Sequence, residues 1–86
     1  MRSAFAAEYR ALLKLLRDAR KQAGFTQQDV AGRLGKPQSF VSKYEKGERR
    51  IDVAEFLVIA GALGADPYRI MRSIERGMPG IARRRR

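Results

Sequence analysis

Gln38, Ser39, Ser42 and Lys43 fall at one- and three-residue steps just ahead of Gly47. On a helix this spacing gathers them on one outward arc, with Val41 and Tyr44 on the opposite side. The chemistry on offer is hydrogen-bonded recognition. A Gln amide presents a donor beside an acceptor, as adenine N6 and N7 require. Lys donates to guanine O6 and N7, and Ser suits either base with little discrimination. Covalent catalysis finds no such support. Ser42, Lys43 and Tyr44 are adjacent on one helix and diverge, and the chain has neither His nor Cys. Imidazole acid–base chemistry, thiolate zinc sites and disulfides are thereby excluded. The expectation is a protein that is not an enzyme and uses no cofactor or metal.

A polar arc also occurs on any solvated helix, so its electrostatic surroundings carry weight. The 86 residues hold 19 Lys and Arg against 9 Asp and Glu, a net charge of +10. Arg83, Arg84, Arg85 and Arg86 supply four of these charges from an apparent tail, and without them the balance is still +6. Such a field favours a polyanion, either nucleic acid or an anionic membrane surface. Residues 33–50 contain six basic and two acidic side chains. Lys36 and Lys46 bracket the polar arc, and Arg49 and Arg50 follow Gly47. Thr26 and Gln27 open an earlier helix, where free amides and the helix dipole attract an anion. These six residues (Thr26, Gln27, Lys36, Lys46, Arg49 and Arg50) are the candidate phosphate contacts.

The elements that must position these groups are helical. Alternating strand patterns are absent, and Gly residues punctuate stretches with apolar residues at three- and four-residue steps. Phe5, Tyr9, Leu12, Leu16, Ala19 and Ala23 form the stripe of a first helix ending near Gly24. Thr26 to Asp29 reads as a capping box opening a second helix that stops at Gly35. A third helix, about Gln38–Glu45, follows Pro37. Asp52 and Glu55 start a fourth, with Phe56, Ile59, Ala60 and Leu63 facing inward. Asp66-Pro67 opens a fifth, whose apolar side is Ile70, Met71 and Ile74. The expected architecture is one compact five-helix, all-α domain over 1–76, with 77–86 a flexible basic tail. The longest uncharged apolar run, 56–65, is too short to span a bilayer. Arg2, Glu8 and Arg10 stand where a signal peptide would need an apolar stretch, so a cytoplasmic protein without membrane attachment is expected.

The second and third helices form a unit of their own. Val30 and Leu34 share one face, Val41 and Tyr44 another, Ala31 lies where the helices cross, and Gly35 occupies the turn. The stretch Gly24-Phe25-Thr26-Gln27-Gln28-Asp29-Val30-Ala31, then Leu34-Gly35 and Val41-Ser42-Lys43-Tyr44-Glu45-Lys46-Gly47, resembles the phage repressor and Cro (Xre-type) helix-turn-helix family. Ile59-Ala60-Gly61-Ala62-Leu63-Gly64 continues the resemblance, which spans roughly residues 12–72. It implies a repressor-like DNA-binding domain that regulates transcription from two-fold sites on double-stranded DNA. It also implies base-contacting roles for Gln38, Ser39 and Lys43, with Ser42 beside them, and a structural ion pair between Arg20 and Glu45.

Two positions depart from the family pattern. Pro37 stands where Ser or Thr usually caps the recognition helix, and it brings no capping hydroxyl. Phe40 is bulky beside the contact face, and either packs on the start of the fourth helix or meets a thymine methyl. A module this small contacts few bases, so a homodimer on two half-sites is expected. Its surface is either the fifth helix (Ile70, Met71, Ile74) or the N-terminal extension (Phe5, Leu13), unless these residues complete the monomer core. A rival reading is an antitoxin-type module that neutralises a partner protein and regulates itself through DNA.

Overall fold

The computed structural model describes residues 6–77, and the apolar Phe5 and the Arg tail expected above lie outside them. Five helices follow one another: α1 (Ala6–Gln22), α2 (Gln27–Leu34), α3 (Gln38–Lys46), α4 (Val53–Leu63) and α5 (Pro67–Arg76). Among the described residues there is no strand, and no helix is long and apolar enough to cross a membrane.

Local chemistry sets most helix ends. The Thr26 hydroxyl accepts from the Asp29 amide at 3.0 Å, and the Asp29 carboxylate accepts from the Thr26 amide at 2.8 Å. That backbone hydrogen bond, with the hydroxyl's, holds the Asp29 carboxyl below its ordinary value. Asp52 and Glu55 repeat the reciprocal arrangement at α4. Asp66 caps α5 through the Tyr68 and Arg69 amides, with Pro67 in the first turn. Gly35 and Gly47 end α2 and α3 at φ of +67° and +82°. A Cβ is disfavoured in that left-handed region, which places Gly at both sites. Among the four helices whose cap residues are described, α3 alone starts without a side-chain cap, because Pro37 occupies the cap position. The Pro37 carbonyl still accepts from the Phe40 amide at 2.9 Å and starts the first turn.

The core joins all five helices. Leu13 and Leu16 of α1, Val30 and Ala31 of α2, Val41 and Tyr44 of α3, Phe56, Ile59 and Leu63 of α4 and Ile70 of α5 are buried together. α2 and α3 pack most closely, and α1 lies against α3, α4 and α5. Burial pushes the Tyr44 phenol well above its usual value, so its hydroxyl stays neutral.

Two residues left open between a dimer surface and the core prove to be core, and one further expectation needs correction. Leu13, placed with Phe5 on a candidate dimer surface, is buried in the core. A helix wedged against three others needs a broader apolar arc than one stripe provides. Ile70, a candidate on the fifth helix, is likewise core, which leaves Met71 exposed and Ile74 half-buried. Ala23 lies past the end of α1 and is exposed, because the helix closes at Gln22.

Candidate nucleic-acid interface

A fixed polar relay runs from the end of α1 to the outward face of α3. Arg20, near the end of α1, reaches Glu45 with two parallel bonds, Nε to Oε2 at 2.7 Å and Nη2 to Oε1 at 3.1 Å. Its remaining terminal nitrogen donates to the Phe25 carbonyl at 3.0 Å, tying the pair to the α1–α2 turn. The side chains are 11% and 5% exposed, so two opposite charges sit largely out of water and neutralise each other. Hydrogen bonding to Glu45 raises the Arg20 guanidinium above its ordinary value, so it remains charged.

The relay continues outward. Gln27, the first residue of α2, donates from Nε2 to Glu45 Oε1 at 2.9 Å. Gln38, the first residue of α3, donates from Nε2 to Gln27 Oε1 at 2.8 Å. An ionised carboxylate can only accept, and this sets the orientation of both amides in turn. Gln27 must turn its nitrogen to Glu45, so its oxygen faces Gln38, and Gln38 must turn its nitrogen to Gln27. What Gln38 keeps for a ligand is its Oε1 and one N–H. Its amide is thereby pre-oriented at the start of α3.

Along the same face Ser39 and Lys43 are exposed and Ser42 is half-buried. Lys46, one turn beyond Ser42, is exposed on the same arc. Phe40 turns away from it. Phe40 lines an apolar cleft with Leu34, Ala54, Val58 and Ile59, and its ring meets Tyr44 edge-on at 5.7 Å. It is therefore packed toward α4.

The flanking cations differ in what they have free. Lys36 sits with its Nζ 5.7 Å from the centre of the Phe40 ring. Arg49 covers the same ring at 4.7 Å and forms two bonds to Glu55, at 2.9 and 3.2 Å, plus one to the Arg50 carbonyl. It clasps the α3–α4 loop to the start of α4. Arg50 stacks on Tyr9 at 4.1 Å, and the Tyr9 hydroxyl accepts from the Ile51 amide at 3.0 Å. Arg50 itself donates no hydrogen bond among the described residues, so its donors remain available. Thr26 and Gln27 line an open polar hollow with Arg20, Gln28 and Gln38 at the start of α2.

Two features of this surface escape the sequence reading. The Gln27–Gln38 contact joins residues from different helices, and only the crossing of α2 on α3 brings them together. The cations Arg10, Lys14 and Arg17, none of them among the candidate contacts named above, converge on the C-terminal end of α3.

Comparison with known proteins agrees with this arrangement. Residues 16–70 match a helix-turn-helix family model. The fold is similar to the solved structure of an XRE-family like protein from Pseudomonas syringae pv. tomato str. DC3000. The TM-score is 0.81 and the identity 52%, over 85% of this chain and 89% of that one. No curated protein gives a significant sequence match. With most of its length matched by the family model and half of the aligned residues identical to those of a member's structure, the chain belongs to the XRE-type helix-turn-helix family.

Proposed function

We propose that this protein is a sequence-specific DNA-binding transcriptional repressor that places α3 in the major groove of a two-fold operator as a homodimer. The observation that carries the reading is the relay from Arg20 through Glu45 and Gln27 to Gln38. It spends a partly buried ion pair and two amides to orient one exposed side chain at the point where a recognition helix meets base edges. In this reading Gln38 and Lys43 discriminate bases, Ser39 and Ser42 adjust to them, and Thr26, Gln27, Lys36, Lys46 and Arg50 hold phosphates. Arg49 belongs with the backbone contacts only if DNA displaces it from Glu55. Selection of bound sequences from random duplex DNA tests the proposal. A two-fold motif is the expected result, and equal recovery of all sequences overturns it.

Lys43→Ala should weaken binding and relax the preference at one base pair per half-site, a loss of about 1–3 kcal/mol of discrimination. Competition between the selected duplex and single-base variants measures this. Uniform weakening would move Lys43 to the backbone contacts. Arg50→Ala should leave sequence preference intact and lower the slope of log affinity against log salt by about 1.

The homodimer surface we favour is the outer face of α4. Val53, Ala54, Leu57, Val58 and Gly61 are all exposed and lie on one continuous arc of the helix. Val53 and Val58 are 72% and 61% exposed. Glu55 is the one charged residue of α4, and it is turned to Arg49. Val53 and Met71 border a common apolar cleft, and Tyr68 extends the exposed apolar surface on α5. Such a patch marks an interaction site. A second copy suits it, because two strongly cationic chains can approach through a helix that itself carries no Lys or Arg, with Lys36 and Arg50 only at its borders. The antitoxin reading uses the same face for a different protein. It predicts a monomer in isolation, whereas the homodimer reading predicts a dimer.

A further inference from the structure

The first half of α1 precedes the segment matched by the family model, and its basic residues have no part in holding α3. Arg10, Lys14 and Arg17 follow at four- and three-residue steps and share one side of the helix. The fold sets that side against the end of α3. Arg10, Lys14 and Arg17 line an open cleft of about 500 Å³ with Lys46 and Arg50. Among the described residues Glu45 is the one carboxylate lining it, and Arg20 already neutralises Glu45. Lys14 is paired with Asp18 at 2.8 Å. Among the described residues Arg10, Arg17 and Lys46 form neither an ion pair nor a hydrogen bond. Like charges that outnumber their counter-ions oppose folding, and a polyanion laid along them relieves the repulsion.

We propose that this cleft is a second phosphate-backbone site, in which α1 grips the DNA strand that passes the C-terminal end of the recognition helix. Lys46 belongs both to the cleft and to the outward arc of α3, so the two surfaces are continuous. Arg10 and Arg17 are ~10 Å apart along the helix axis. A span of that length reaches more than one phosphate along a strand. Cations strung along a groove suit a polymer better than a single small anion, which needs donors converging on one point. The inference rests on the DNA-binding reading above, and it lengthens the footprint without adding sequence information.

The test uses the full chain with Arg10→Gln and Arg17→Gln together, against a control carrying Arg69→Gln and Arg72→Gln on α5. All four side chains are exposed, and unchanged melting verifies folding. On the selected duplex the first variant should bind about ten-fold more weakly, with its salt slope lowered by about 2 and its sequence preference unchanged. Phosphate ethylation should reveal positions flanking the base pairs read by α3 that block the native protein but not the variant. An unchanged slope, a loss confined to particular base sequences, or an equal loss in the control overturns the proposal. If selection returns no motif, base reading fails, and a duplex of arbitrary sequence still decides the cleft. A lowered slope there upholds the cleft, while an unchanged slope, or no duplex binding by the native protein, overturns it.

Discussion

Glu45→Ala is expected to destabilise the domain by about 3 kcal/mol, near the lower end for breaking a buried ion pair. The carboxylate accepts two bonds from Arg20 and one from Gln27, and its loss leaves all three donors unpaired at once. Arg20 keeps its bond to the Phe25 carbonyl and an 11% opening to water, so partial rehydration limits the cost. For a domain of this size the fall in Tm is roughly 12–24 °C. Thermal denaturation followed by circular dichroism measures it. Binding should weaken even at temperatures where the variant is folded, because Gln27 no longer has a carboxylate to orient it and Gln38 loses its fixed amide. Unchanged melting with lost binding would instead make Glu45 a direct contact to DNA. Glu45→Gln separates charge from shape, since a neutral amide can retain some of the hydrogen bonds but cannot neutralise Arg20. An intermediate loss is expected.

The second large effect should come from a surface that touches no DNA. Leu57→Glu with Val58→Glu places two carboxylates on the exposed arc of α4. Val58 is 61% and Leu57 43% exposed, so monomer stability should fall only modestly, which thermal denaturation checks. In a symmetric dimer the same substitutions bring four like charges into one apolar contact. The expected outcome is a monomer by sedimentation. Affinity for a duplex carrying two half-sites should fall about 100-fold or more, with affinity for a single half-site retained, because the second binding event loses its effective concentration. Equal loss on one and two half-sites would place α4 elsewhere in the mechanism. A dimer that persists would move the interface to another face.

The HTH fold lay close to the surface of the sequence because its signals are local. Thr26 with Asp29, Asp52 with Glu55, and Asp66 with Pro67 each start a helix within a few residues of chain, and Gly35 and Gly47 end two of them. The inward stripe of α4, Phe56, Ile59, Ala60 and Leu63, follows from helical period alone and is buried as read. The outward polar arc of α3 follows from the same period.

The outer face of α4 shows where period fails. On a helix apolar on nearly every side, the period that turns Phe56 inward does not decide whether Leu57 on the other side is covered as well. Leu13 and Ile70 were placed among dimer candidates for the converse reason. How much of a helix is covered depends on how many neighbours surround it, and that number is a property of the assembled fold.

For the recognition helix, sequence by itself determined that Gln38, Ser39, Ser42 and Lys43 share one outward arc, because helical spacing is local geometry. Tertiary structure alone decided that Gln38 is held by Gln27, that Phe40 turns to α4, and that Arg49 is tied to Glu55 while Arg50 keeps its donors. It also decided that Arg10 and Arg17 meet Lys46. Each of these relations joins separate helices, and side-chain hydrogen bonds, stacking and clefts form only after the hydrophobic core has fixed how the helices cross.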